Sequence, residues 1–318
     1  MSTKKDKFSR KDKNYMRLAL YLAQSHKGLT GENPSVGCVI VKNDNIISIA
    51  KTGINGTPHA EYNAIKNTTQ SLKGSKMYVT LEPCNHYGKT PPCTNSIVKS
   101  GISEIFYPIQ DIDKKVKGKS YKILIKNRIK VRQGLLKDEI KDFYNSYFTN
   151  RIQNLPYVTG KIAVSKNNLI YSEKNKKITN ELSDKLTHYL RYKNDAILIS
   201  YKTLNIDNPK LNCRLKGYEK FSPIRVILDK NLDIETDSNI FKSIKKKNTI
   251  IFYNRINNKK INILKKKGAR LIKSSLTIKK YFNLKIILKK LFSLGVRNLL
   301  IEGGDKMTES FIKNRLFN

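Results

Sequence analysis

The sequence predicts two consecutive α/β domains, the first a three-layer α/β/α sandwich. Three observations carry that prediction. Apolar runs of strand length, such as residues 36–41 and 77–81, alternate with stretches whose apolar residues recur at helical spacing. A chain of 318 residues is long enough for two domains of ordinary size. Asn154-Leu155-Pro156, between an amphipathic stretch and a fresh apolar run, marks a boundary. The expected organisation is a basic, disordered tail at 1–13, a first domain at 14–153 and a second at 156–318.

Residues 12–27 place Tyr15, Leu18, Ala19, Leu22 and Ala23 on one helical face, and Gly28 and Gly31 end the helix. Residues 36–41 read as a buried strand and 45–50 as its hairpin partner. Pro58 opens a short helix over 59–66. A strand at 76–81, a helix from Pro91 to Ser100 stopped by Gly101, and strands at 104–107 and 129–132 follow. Residues 137–151 form one helix whose apolar side, Ile140, Phe143, Tyr144, Tyr147 and Phe148, is expected to serve core packing. In the second half the expected strands are 157–165, 196–200, 224–228, 250–253, 261–264 and 298–301. Helices are expected at 183–192, 284–294 and 306–316. Gly303-Gly304, between the last strand and the last helix, reads either as a phosphate seat or as an ordinary tight turn.

Sixty-three Lys and Arg against twenty-five Asp and Glu give a net charge of +38. Such a surplus ordinarily points to nucleic acid. Here it is spread as +14 over residues 1–150 and +24 over 151–318, with lysine dominant, which reads as compositional drift and not as a binding arm. No specific nucleic-acid partner and no membrane partner is expected, since no apolar run reaches spanning length and the N-terminus lacks an apolar signal core. Four cysteines without a disulfide framework fit a cytoplasmic protein, with Cys38 and Cys213 as ordinary buried residues.

The chemistry concentrates between His59 and Cys93, which hold two of the four histidines and two of the four cysteines. His59, Cys84 and Cys93 supply one imidazole and two thiolates, enough for a catalytic zinc with a position open to water. Glu61 stands two residues after His59 as the proton carrier. His-x-Glu, then Pro-Cys, then a further Cys is the signature of zinc-dependent nucleobase deaminases. A structural zinc site is the rival reading, with His86 the only local histidine to complete it.

Asn33-Pro34-Ser35-Val36-Gly37-Cys38-Val39-Ile40, His59-Ala60-Glu61 and Thr80-Leu81-Glu82-Pro83-Cys84-Asn85-His86-Tyr87-Gly88-Lys89-Thr90-Pro91-Pro92-Cys93 together resemble the bifunctional riboflavin-biosynthesis deaminase/reductase family. Eight residues separate the cysteines, where nucleic-acid deaminases usually have two. The resemblance runs from about Tyr15 across nearly the whole chain. It implies a cytidine-deaminase-like first domain holding one zinc and a dihydrofolate-reductase-like second domain using NADPH. The implied substrate is a phosphorylated diamino-ribosylamino-pyrimidinone. By the family's roles Asn33, His86 and Lys89 face it in the first domain, and Arg191, Leu211, Arg214 and Glu302 in the second. Val164, Lys177, Thr203, Asp207, Lys230 and Gly304 serve the dinucleotide.

Three departures mark the second half. Ser165-Lys166-Asn167-Asn168 replaces the family's Ser-Leu-Asp-Gly, Lys177 replaces a tryptophan, and the usual C-terminal strands are not found before Asn318. A sheet edge left open there favours a homo-oligomer. The readings left standing are a deaminase with a working or degenerate reductase, a nucleic-acid deaminase, and a non-catalytic zinc-stabilised protein.

Overall fold

A capping box opens the first helix: Ser9 Oγ accepts the Asp12 amide at 3.1 Å, and Asp12 Oδ2 accepts the Ser9 amide at 2.9 Å. Helix α1 (Arg10–His26) therefore starts inside the stretch 1–13 expected to be a tail. The computed structural model describes residues 7–88, 90–166, 179–244 and 248–318, and the chain divides into two units between Ile152 and Gln153.

In the first unit α1 is followed by β1 (Gly37–Lys42), β2 (Asn45–Lys51), α2 (Ala60–Lys66), β3 (Lys76–Val79), α3 (Cys93–Ser100) and β4 (Glu104–Tyr107). Then come α4 (Lys119–Lys126), β5 (Lys130–Gln133), α5 (Lys137–Phe143) and α6 (Asn145–Gln153). The sheet order is β2-β1-β3-β4-β5, antiparallel from β2 to β3 and parallel from β3 to β5. Strand β1 is buried on both sides, as its unbroken apolar run requires. Gly37 is turned to α1, whereas its neighbour Cys38 feels the charge of Glu61 on α2, so the two helices cover opposite faces. The single helix expected over 137–151 is two helices, broken at Tyr144, whose backbone leaves the helical region.

The second unit runs β6 (Tyr157–Gly160), α7 (Glu181–Lys193), β7 (Ala196–Ser200), α8 (Tyr201–Asp207), β8 (Ile224–Leu228) and α9 (Asn239–Lys242). It continues with β9 (Thr249–Tyr253), α10 (Asn258–Lys266), β10 (Arg270–Lys273), α11 (Leu284–Ser293), β11 (Asn298–Ile301) and α12 (Asp305–Lys313). The six strands are all parallel, in the order β10-β9-β8-β7-β11-β6. Alternate residues divide the core. Leu198, Val226, Ile250 and Leu299 pack with α11 and Phe311 of α12, while Ile197, Ile227, Ile251 and Leu300 pack with α8, α9 and α10.

Two further expectations need correction. Residues 261–264 are helical, because Asn257 Oδ1 caps α10 at the Lys260 amide and Ile261 and Leu264, three apart, share its buried side. Strand β6 stops at Gly160 and not at Ser165, because β11, its one ladder partner among the described residues, ends at Ile301 opposite Gly160. On its other side β6 meets the last residue: Val158 N–H donates to Asn318 Oδ1 at 2.8 Å, and Asn318 N–H donates to the Val158 carbonyl at 3.2 Å.

Gly37 sets how closely α1 approaches the sheet. A Cβ there would stand 1.8 Å from the Ala19 carbonyl oxygen and 3.0 Å from the Ala23 amide nitrogen, both rigid backbone. Gly37→Ala is therefore expected to lower stability by about 1–3 kcal/mol, read from the urea midpoint at unchanged slope. An unchanged midpoint would show that α1 can shift without loss.

Candidate active site

Three segments of the first unit deliver three ligand atoms to one point. His59 is the N-cap of α2, with extended backbone, so its ring projects from the helix start. Cys84 follows the end of β3, and Cys93 is the first residue of α3, after Pro92. His59 Nδ1 lies 3.3 Å from Cys93 Sγ and 3.4 Å from Cys84 Sγ, and the three ligand atoms all fall within 4.8 Å of one another. Among the described residues this is the cluster with metal-ligand geometry.

The electrostatics match a cation site. The hydrogen bond with the Cys93 thiol, then those from His59 and the Cys93 amide, hold Cys84 well below the ordinary thiol range against its burial. Sharing that proton, together with burial, pushes Cys93 up. The Cys93 amide donates to Cys84 Sγ at 3.3 Å and the Thr94 amide to the Cys84 carbonyl at 3.1 Å, so the start of α3 supports a thiolate. Two sulfurs and one imidazole nitrogen fit zinc with a position left for water. His86 lies outside the cluster, so it does not complete a closed four-ligand site.

Glu61, in the first turn of α2, is 4% exposed. Burial first, and then the charge of Cys84, push its carboxyl up to about 7, against the pull of His59. A carboxyl so placed can take and return a proton near neutrality. Asn33 donates its side-chain N–H to the Gly56 carbonyl at 3.0 Å, which fixes the amide and leaves its oxygen to accept from a ligand. His86 Nδ1 and Asn85 Oδ1 are buried atoms without a protein partner, in the loop between the thiols. Lys89, and in the second unit Lys177, Asn167 and Asn168, lie outside the described residues.

Sequence reasoning missed the supports of this site. Glu82 Oε2 accepts the Asp111 and Gly118 amides at 3.1 and 3.0 Å, pinning the loop after β4 beside the Cys84 segment. Thr80 and Tyr144 share a hydroxyl contact of 2.6 Å beneath the residues that follow Asn33. The trace of it in the sequence was a pair of tyrosines, Tyr144 and Tyr147, on an otherwise apolar helical side.

In the second unit Arg191 and Glu302, both expected to face substrate, are bound to each other. Arg191 Nε and Nη2 donate to the two Glu302 oxygens at 2.9 and 2.7 Å, a bidentate pair with side chains 11% and 10% exposed. Arg191 Nη1 also reaches the Asn212 carbonyl at 3.3 Å. Arg214 is exposed, whereas the Leu211 side chain is buried in the core, leaving its backbone to meet a ligand. Thr203 lies in the first turn of α8 and donates its amide to Oγ of the N-cap Ser200, Asp207 ends that helix, Lys230 follows β8 and Gly304 caps α12. Strands β7, β8 and β11 thus lead at their C-terminal ends to these residues, the side on which open parallel sheets bind ligands. Open space surrounds a Cβ built on Gly304, ahead of the amides of α12. Val164 is exposed beyond the end of β6. A cavity of about 330 Å³ between residues 158–162 and Thr308, Phe317 and Asn318 contains none of the expected dinucleotide residues.

Comparison with known proteins covers both units. A profile of the cytidine and deoxycytidylate deaminase zinc-binding region matches residues 9–109, and one of the RibD C-terminal domain matches residues 156–318. The chain is 37% identical over 309 residues to riboflavin biosynthesis protein RibD of Aquifex aeolicus, spanning 96% of this chain and 85% of that protein. It is 33% identical over 323 residues to the protein of the same name from Buchnera aphidicola, with shares of 97% and 85%. Among solved structures, it is similar to the diaminohydroxyphosphoribosylaminopyrimidine deaminase/5-amino-6-(5-phosphoribosylamino)uracil reductase of Thermotoga maritima. That likeness has a TM-score of 0.81 at 30% identity, over 96% of this chain and 84% of the other. Acinetobacter baumannii RibD gives a TM-score of 0.83 at 27% identity, over 97% and 85%.

The cluster makes a metal prediction. The purified protein is expected to carry about one zinc per chain by elemental analysis. Cys93→Ser should lose most of that zinc, and His86→Ala should keep it. Zinc loss in His86→Ala would point instead to a four-ligand structural site.

Proposed function

Because the chain belongs to the RibD family of bifunctional riboflavin-biosynthesis deaminase/reductases, we infer that its two units perform consecutive steps on one phosphorylated pyrimidine. The first step is zinc-dependent hydrolytic deamination of the phosphorylated diamino-ribosylamino-pyrimidinone. The second is NADPH-dependent reduction of its ribosyl side chain to ribityl. The observation that carries the reading is the His59, Cys84 and Cys93 cluster with a buried Glu61 beside it.

His59, Cys84 and Cys93 hold the zinc, which when bound supplies an acidified water and a positive charge beside the reacting carbon. Glu61 takes a proton from the attacking water as its oxygen bonds to the amino-bearing ring carbon. It passes that proton to the ring nitrogen, then takes the remaining proton of the hydroxyl on the attacked carbon and hands it to the amine as the carbonyl forms, the carbon–nitrogen bond breaks and ammonia leaves. Burial gives Glu61 a proton affinity suited to both roles. Asn33 accepts from the substrate through the oxygen that Gly56 leaves uncommitted. His86 orients the ring and Lys89 neutralises the phosphate.

In the second unit the Arg191–Glu302 pair presents a fixed polar surface to the ribosyl intermediate, with the Leu211 backbone beside it. The exposed Arg214 adds the positive charge. NADPH, when bound, supplies the hydride. Val164, Lys177, Thr203, Asp207 and Lys230 hold it, and Gly304 with the start of α12 receives its phosphates. No described helix is long and apolar enough to cross a membrane. A cytoplasmic location and self-association belong to the same reading, from the four free cysteines and from β6 as the terminal strand of its sheet.

One paired assay tests the assignment. Zinc-loaded protein given the diaminopyrimidine nucleotide is expected to release ammonia and to oxidise NADPH in equal amounts. Glu61→Gln should retain its zinc and lose ammonia release by roughly a hundredfold or more. Ammonia without NADPH oxidation would confine catalysis to the first unit. Zinc-loaded wild-type protein releasing no ammonia would overturn the reading.

A further inference from the structure

Tyr144 lies at the break between α5 and α6, 1% exposed, with Phe143, Tyr147 and Phe148 around its ring at centroid distances of 4.9, 6.5 and 6.1 Å. Phenylalanine would fill the same volume. The hydroxyl serves something else. It donates to the Ser35 carbonyl at 3.0 Å and meets Thr80 Oγ1 at 2.6 Å.

A phenol has one proton, and the Ser35 carbonyl can only accept it, so Thr80 is the donor in the contact with Tyr144. Thr80 Oγ1 in turn accepts the Gly37 amide at 3.1 Å. Protons therefore run in one direction, from the Gly37 amide to Thr80, from Thr80 to Tyr144 and from Tyr144 to Ser35. Burial pushes the phenol well above its ordinary range, so this proton stays in place. The loop between Ser35 and Gly37 is thereby held at both ends by side chains from β3's end and from the α5–α6 break. Ser35 Oγ adds a bond to the Ala23 carbonyl at 2.7 Å, and Thr30 Oγ1 donates to the Asn33 carbonyl at 2.7 Å.

We propose that Tyr144 is a positioning residue for the deaminase step. Its hydroxyl sets residues 33–37, and with them the Asn33 amide, against the strand end that leads to Glu82 and Cys84. The proposal rests on the reading of the first unit as the pyrimidine deaminase with Asn33 at the substrate. The Tyr144 hydroxyl bonds to Thr80 and Ser35 and not to the ligand cluster or Glu61, so its hold on the substrate runs through the placement of residues 33–37.

The test compares Tyr144→Phe, Thr80→Val, Thr80→Ser and the Tyr144→Phe/Thr80→Val pair in the full chain. The readouts are ammonia-release kinetics, zinc content and amide hydrogen exchange over residues 33–38. Tyr144→Phe is expected to raise KM for the pyrimidine nucleotide roughly 3- to 10-fold, the worth of one hydrogen bond. It should leave kcat within about twofold, keep the zinc and speed exchange at the Gly37 amide. Thr80→Val should reproduce that shift, Thr80→Ser should retain wild-type KM, and the pair should be no worse than Thr80→Val alone. A KM unchanged in Tyr144→Phe overturns the proposal, as does a loss confined to kcat or to zinc content. Wild-type protein that binds zinc but releases no ammonia overturns the deaminase reading itself, and the proposal with it. Faster exchange without any kinetic change would reduce Tyr144 to a structural brace.

Discussion

Two thiol sulfurs within 3.3–3.4 Å of one imidazole nitrogen are the constraint around which the first unit is arranged. Such groups gain little from one another unless a proton or a cation sits among them: their mutual hydrogen bond holds the Cys84 thiol down and pushes the Cys93 thiol up. Each ligand arrives from a different element, so the cluster exists only when α2, the end of β3 and α3 are all in register. A zinc ion satisfies the three donors together, and its binding energy then contributes to holding those elements in place.

The remaining architecture reads as scaffolding for that register. Gly37 lets α1 lie directly on β1, which leaves the opposite face to α2 and its Glu61. Glu82 ties the loop after β4 to the segment that carries Cys84. Tyr144 ties the α5–α6 break to the loop that precedes β1. Each of these ties is a buried polar group with named partners, which fixes geometry more sharply than apolar packing can. Apolar packing decides that the layers meet; the hydrogen bonds decide where.

How much of this was legible in the sequence depends on how local the determinant is. The strands at 196–200, 224–228 and 298–301 were plain because a short apolar run bounded by polar residues is a local signal. His59, Glu61, Cys84 and Cys93 were plain because their spacing encodes the chemistry. Residues 261–264 were misread, since Ile-Asn-Ile-Leu satisfies a strand until the capping side chain of Asn257 is considered. The break at Tyr144 was hidden, because an apolar face spaced for one helix continues across it. The Arg191–Glu302 pair was invisible, because 111 residues separate its partners. Resemblance had marked both as ligand contacts, and neither residue type announces which partner it will meet.

The chain treats two carboxylates in opposite ways, and the difference assigns their work. Glu61 is buried where burial and the Cys84 charge both oppose ionisation, against the pull of His59 and of hydrogen bonds from its own backbone and from Cys93. A carboxyl in that setting holds a proton loosely near neutrality and can hand it on. Glu302 has instead been given both nitrogens of a guanidinium fork in fixed geometry. Both its oxygens are engaged within the protein, so it is fitted to orient a ligand. Burial, which pushes the carboxyl up to about 7, is what suits Glu61 to proton transfer.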